Sequence, residues 1–280
     1  MAIIWIFFPS VDGKFDDCQA LVKQAFSDSD LDYLNLSSAN SINIGRLIPQ
    51  IVYYFYSYAK LSKQDNEEII FSIPSGNFGD MMGAVFAKNM GLPIKKLVIS
   101  TNGNDEFPNY LKTGVYNKIE PSVNCISSAM NVGHPSNIAR LVAIYGGVMD
   151  EKGNITKQAD LEKMRTDIYS VSINDTETRK TIEDAYKEYK LILEPHGSVG
   201  WLGLQKYLKD NVDNIDSNQL CVSLETAHPA KFPEEINTIL GIDPKLPKSL
   251  EGLENKQENM DLMELNYDSF KAYLINKYKK

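Results

Sequence analysis

The stretch "FSIPSGNFGDMMGAVFAKNMG", residues 71–91, states its own local structure. An apolar run tightens into a polar turn holding Gly76 and Gly79, and the turn opens a helix that Gly91 closes. "IKKLVIST" follows at once and reads as a second strand. Strand, crossover helix and strand in immediate succession form a βαβ unit, which demands a parallel sheet with helices packed on it. The rest of the chain continues the alternation. "FDDCQALVKQAF" places Leu21, Val22, Ala25 and Phe26 on one helical stripe, with Asp16 and Asp17 near its start. "EEIIFSI" and "QLCVSLET" read as strands, while "PSNIARLVAIYGG", "TRKTIEDAYKEYK" and "HGSVGWLGLQKYLKD" read as helices. The expected fold is α/β, an open and mostly parallel sheet with helices on both faces.

"IGRLIPQIVYYFYSYAK" is apolar or aromatic around most of its circumference, so burial on all sides is expected, with Pro49 marking a late first turn or a kink. "MAIIWIFFPS" reads as a buried strand; it lacks the basic start and cleavage site of a signal peptide. From Gly241 the chain turns polar and proline-interrupted before a last helix near Tyr267 to Tyr278. Residues 1–240 are therefore expected as one α/β domain and 241–280 as a surface segment with its helix packed on it.

At 280 residues, with 43% apolar and 24% charged content, the chain has material for a full core. A formal charge of −8 excludes a nucleic-acid backbone as its main partner, but not a small anion that needs only local donors. No run reaches membrane-spanning length. Cys18, Cys125 and Cys221 are odd in number and far apart, which suits reduced thiols of a cytoplasmic protein rather than a disulfide framework or metal site.

Two polar segments can hold anions. In "PSGNFG" the glycines aim a turn at a helix start, whose first amides have no partner inside the helix and carry partial positive charge. Ser75 and Asn77 add side-chain donors suited to a monoester phosphate; the alternative is a strand-to-helix connection with glycine for geometry alone. In "NLSSANSINIGR", Ser37, Ser38, Asn40, Ser41 and Asn43 lead to Arg46. One helix cap needs one such side chain, so the surplus and the arginine favour anion binding over capping. "LETAHPAKF" follows a strand, where open α/β sheets hold ligands, and Thr226 is placed to meet a heterocycle. His134, His196 and His228 all neighbour proline or glycine and read as loop-stabilising residues. No zinc-protease, paired-cysteine or nucleophile-elbow motif occurs.

In order along the chain, "VDGKFDDCQALVK", "LSSANSINIGRLIPQ", "IPSGNFGDMMGAVFAKNMGLP", "TNGNDEFPNYLKTGVY", "SSAMNVGHPSNIARL", "EPHGSVGWLGL" and "ETAHPAKF" resemble blocks of threonine synthase, a pyridoxal-phosphate enzyme of the tryptophan-synthase-β fold type. The resemblance is to the later part of that enzyme. It implies fold type II, with Ser75, Gly76, Asn77, Phe78 and Gly79 holding the phosphate of pyridoxal 5'-phosphate and Thr226 its pyridine nitrogen. It implies that Ser41, Asn43 and Arg46 bind the phosphate of O-phospho-L-homoserine, which water converts to L-threonine and phosphate. It also implies a small-molecule enzyme of amino-acid biosynthesis, cytoplasmic, and a monomer or a homodimer. The family's Schiff-base lysine lies upstream in a Phe-Lys-Asp block that is absent here. Lys14, Lys23, Lys60, Lys88 and Lys231 stand in other contexts, so no catalytic lysine is assigned, and the fold is expected to be incomplete at its N-terminus. The alternatives are a non-catalytic phosphate-ligand binder and another fold type II enzyme such as a serine/threonine dehydratase; "NSINIGR" with "TAHPAKF" speaks against the latter.

Overall fold

The computed structural model describes residues 10–257 and 260–278; the strand expected in residues 1–9 lies outside them. The chain runs through β1 (Ser10–Val11), α1 (Phe15–Phe26), α2 (Ile51–Leu61), β2 (Ile69–Pro74), α3 (Gly79–Asn89) and β3 (Ile94–Thr101). It continues through α4 (Glu106–Thr113), α5 (Ile138–Ile144), the pair β4 (Val148–Met149) and β5 (Ile155–Lys157), α6 (Leu161–Asp167) and β6 (Ile168–Ser172). Then come α7 (Asp175–Tyr189), α8 (Pro195–Asp210), β7 (Leu220–Ser223), α9 (Pro233–Leu240), β8 (Leu262–Met263) and α10 (Tyr267–Tyr278).

Two compact units result. Residues up to Ser38 join those from Leu246 onward, and Ala39–Lys245 form the other. In the first, β1 pairs in parallel with β8, and Ala25 and Leu31 pack on Phe270 and Leu274 of α10. The stripe on α1 is therefore covered by the C-terminal helix. This division differs from the expected boundary at residue 240, because the N-terminal segment finds its apolar partners in the tail.

In the second unit, four parallel strands lie in the order β6-β3-β2-β7. Side chains alternate across this sheet, as strand geometry dictates. Ile69, Phe71 and Ile73 of β2, with Leu97 and Ile99 of β3, enter the main core with α3, α4 and α5. Ile70 and Val98 point the other way and pack on Leu204 and Tyr207 of α8. Helices thus cover both faces, in agreement with the expected α/β class, and β2–α3–β3 is the expected βαβ unit. Gly91 ends α3 at φ +103°, a conformation that side chains rarely adopt.

The expectation for α2 is corrected. Tyr54 alone is fully buried, its ring edge-on to Phe71 at 5.0 Å, while Val52, Tyr53 and Tyr56 are 62%, 55% and 61% exposed. Pro49 sits in a short 3-10 turn (Ile48–Gln50) just before the helix.

Candidate active site

The strand β2 ends where its neighbour still offers a carbonyl: the Ser75 amide donates to the Ser100 carbonyl at 2.8 Å. The turn then bends through Phe78 in the left-handed region (φ 62°, ψ 21°), a position held by burial of its ring edge-on to Phe107 at 5.0 Å. Phe78 occupies the N-cap of α3 and offers no side-chain acceptor, so the first amides of the helix stay uncapped within the turn. Gly76 is required by space: a Cβ there would lie 2.8 Å from the Cα of Met130 and 3.1 Å from the Ala129 carbonyl oxygen. Asn77 is held in place through two of its oxygens. Its Oδ1 accepts from the Ser136 amide at 2.9 Å, and its carbonyl accepts from Asn137 Nδ2 at 2.7 Å.

The second polar segment meets this turn. A Cβ on Gly79 would lie 3.1 Å from the Cβ of Ser41, and one on Gly83 would touch Gln50 at 3.1 Å. The chain from Ser41 to Gln50 therefore runs along α3, the helix that the glycine turn opens. Local polar side chains shape it: Asn40 Oδ1 accepts from the Ile42 amide and Asn43 Oδ1 from the Gly45 amide, both at 2.9 Å. Asn43 thereby caps the 3-10 turn Ile44–Arg46. Arg46 itself is exposed.

Arg140 of α5 does what no motif announced. It donates to the carbonyls of Ser41 (3.2 Å) and Ile42 (2.7 Å) and also to Asn137 Oδ1. Since Asn137 holds the Asn77 carbonyl, one hydrogen-bonded chain joins the loop of Ser41 to the glycine turn. Asp80, in the first turn of α3, accepts from the Tyr54 hydroxyl at 2.9 Å. Burial pushes its carboxyl up to about 6, with the Tyr54 hydrogen bond opposing the shift.

On the other side of β2, the Leu224 amide donates to the Ser72 carbonyl at 2.9 Å and Ser72 pairs with Ser223. Thr226 therefore leaves the sheet at the carboxyl end of β7, the strand neighbouring the turn, and it is exposed. Next to it, Glu225 accepts from the Glu194 amide at 3.1 Å, and burial raises its carboxyl to about 7. Glu194 caps α8 through the amides of His196 and Gly197 and bonds His196 Nδ1 at 2.5 Å. His196 Nε2 accepts from the Ala129 amide at 3.0 Å, so the Nδ1 proton faces Glu194. His196 thus fixes the Ser127–Asn131 turn that backs Gly76.

His134 bonds the Tyr116 hydroxyl at 2.7 Å and the Glu151 carbonyl at 3.0 Å, and His228 accepts from the Ala230 amide at 3.1 Å. Each histidine steadies a loop. The three cysteines are unpaired thiols, raised by burial. Among the described residues no group of His, Cys, Asp or Glu is placed to hold a metal ion, and no helix is long and apolar enough to cross a membrane.

Residues 199–274 match the family model "Threonine synthase, C-terminal". Threonine synthase of Haemophilus influenzae is 39% identical over 267 residues, covering 95% of this chain and 58% of the relative. The Escherichia coli K12 protein of that name is 37% identical over 242 residues, covering 86% and 51%. The chain is homologous to threonine synthases. The crystal structure of the Escherichia coli threonine synthase superposes with a TM-score of 0.80 at 32% identity, over 96% of this chain and 58% of that one. A threonine synthase of Brucella melitensis, solved with PLP bound, gives 0.79 at 32% identity, over 97% and 59%. The chain spans a little over half the length of these threonine synthases. Its open parallel sheet is that of fold type II enzymes.

Proposed function

We propose that this chain carries the phosphate-handling part of a threonine-synthase reaction, in which O-phospho-L-homoserine and water give L-threonine and phosphate. The observation that carries the reading is the contact of Ser41 with Gly79, which puts the candidate substrate loop against the candidate cofactor turn. Homology to threonine synthases supports the substrate class.

The residues suit a pyridoxal 5'-phosphate phosphate group. The uncapped start of α3 offers amides, and Gly76 and Gly79 let the turn sit close against Met130 and Ser41. In this reading Ser75 to Gly79 hold the cofactor phosphate and Thr226 donates to or accepts from its pyridine nitrogen. When bound, the cofactor supplies an electron sink for the substrate's carbon skeleton. Ser41, Asn43 and Arg46 bind and orient the substrate phosphate, and exposure leaves Arg46 accessible for it. Arg140 holds the Ser41 and Ile42 carbonyls of that loop.

An anchoring amine does not fit among these residues. Lys88 pairs with Asp167 at 3.4 Å and donates to the Ile94 carbonyl, beyond the C-terminal end of α3. Lys60 lies over the Tyr56 ring at 5.7 Å, and Lys231 is exposed in a short turn (Pro229–Lys231). We therefore assign ligand binding to this chain and no turnover to it alone. Ligand binding in the cytoplasm, by a monomer or a homodimer, belongs to the same proposal.

The test is a titration of the chain with pyridoxal 5'-phosphate and with O-phospho-L-homoserine. Binding of both is expected, without threonine formation. A cofactor absorbance band that borohydride fixes onto a lysine of this chain would overturn the assignment; binding of neither would overturn the site.

A further inference from the structure

Asp80 places a carboxyl where a negative charge competes with the ligand. It is the second residue of α3, so its own amide belongs to the helix start that would receive the cofactor phosphate. Bond lengths then keep its carboxyl within about 8 Å of any oxyanion that this amide holds. At that distance, with an effective dielectric of about 20, two like charges repel enough to weaken binding more than about tenfold. An acid in a first helical turn is ordinarily stable as an anion, because it meets the positive end of the dipole. Here the ligand claims that end.

The surroundings keep a proton on the carboxyl. The Tyr54 hydroxyl lies 2.9 Å from Asp80 Oδ1 and 3.0 Å from the Asp80 carbonyl oxygen, and Tyr54 is fully buried. One phenol proton cannot serve both oxygens fully. With Asp80 ionised, one of the two acceptors is short of a donor. With Asp80 protonated, its O–H donates to Tyr54, Tyr54 donates to the carbonyl, and both protons are used. No cation among the described residues pairs with the carboxyl. Arg140 of α5 is turned to the Ser41 and Ile42 carbonyls, and Arg46 is exposed. Lys60 of α2 lies over Tyr56, and Lys88 of α3 pairs with Asp167. On β3, Lys95 pairs with Glu68 and Lys96 donates to the Arg165 carbonyl. The rise of the Asp80 carboxyl to about 6 through burial agrees with this arrangement, since the shared Tyr54 proton opposes it only in part.

We propose that Asp80 is a proton-linked switch on the glycine turn: a phosphate monoester is held tightly there while Asp80 carries a proton, and the Tyr54 hydroxyl closes the hydrogen-bond circuit of that neutral form. The inference rests on the functional reading above and adds to it the charge state that the helix start must have. A phosphate dianion entering at neutral pH therefore draws one proton from solvent onto Asp80.

The experiment titrates the full chain with pyridoxal 5'-phosphate by fluorescence from pH 5 to pH 8, beside Asp80→Asn and Asp80→Ser, which both lack the charge. Melting curves show which variants fold, and either one suffices. The ligand's own titration is common to all the chains and cancels in the ratio of their affinities. The ratio of parent to variant Kd should rise about tenfold between pH 5 and pH 7. Calorimetry at pH 7, in two buffers of different ionisation heat, should show the parent taking up most of one proton more than the variant. A ratio flat with pH, or equal proton counts, overturns the switch and leaves cofactor binding at the turn standing. Loss of binding by the folded variants at every pH would show that the carboxylate is required, and overturns it as well. Binding by neither parent nor variant overturns the site and the switch together.

Discussion

Replacing Gly76 by alanine tests the glycine turn most directly. The added Cβ would stand 2.8 Å from Met130 Cα, whereas ordinary contact begins at 3.4 Å, so the two segments must part by about 0.6 Å. The Met130 side cannot yield easily. Asn102 Nδ2 donates to Asn131 Oδ1 at 2.9 Å and the Ala129 amide to His196 at 3.0 Å, pinning that turn at both flanks. The Ser75–Gly79 turn must move instead. Overpacking of this kind costs about 1–3 kcal/mol, or about 2–4 °C in Tm for each kcal/mol. An amide moved by such a distance passes from about 2.9 Å to about 3.5 Å from a phosphate oxygen, outside hydrogen-bonding range. Urea denaturation should show the lost stability, and fluorescence titration a fall in pyridoxal 5'-phosphate affinity of about tenfold, equivalent to about 1.4 kcal/mol. Gly91→Ala is the control. It meets open space and is strained only by its φ of +103°, so it should lose roughly 1–2 kcal/mol without touching cofactor affinity. Equal behaviour of the two variants would refute the crowding argument.

Three further outcomes are expected. Asp80 titrates near 6 when folded against 3.8 when free, so stability falls as pH rises between those values. Asp80→Asn should remove a penalty of up to about 3 kcal/mol at pH 7.5, and an equal gain at pH 4 would show that the titration is not the cause. Arg140→Ala frees the Ser41 and Ile42 carbonyls and should speed amide hydrogen exchange across residues 39–46 at least tenfold while β2 and β3 stay protected; unchanged exchange there would remove Arg140 as the organiser of the loop. Arg46→Ala should weaken O-phospho-L-homoserine binding far more than pyridoxal 5'-phosphate binding, and equal loss of both would merge the two anion sites into one.

What could be read in the sequence was whatever repeats locally. The unit β2–α3–β3 is legible because two apolar runs and a glycine turn stand within 33 residues, from Ile69 to Thr101. The α7 and α8 helices show for the same reason. By contrast, β6 (Ile168–Ser172) has serines between its apolar residues; Ser170 hydroxyl reaches the Ile99 carbonyl at 2.8 Å across the sheet, a pairing no local pattern declares. Arg140 was silent because its partners are main-chain carbonyls nearly a hundred positions earlier. The α2 pattern was read correctly as apolar, yet composition cannot say whether an interior is supplied by the chain itself. The stripe on α1 was visible, but not its partner α10, which lies at the far end of the sequence.

The blind wall of the glycine turn is main chain, formed by Ala129 and Met130. Its width is consequently set by the path of the polypeptide and hardly at all by which side chains hang from it. Ala129 is exposed and can drift freely among other residues. Inserting or removing one residue between Ser127 and Asn131 would displace that wall at a stroke, so in lineages descended from this chain length there should outlast identity.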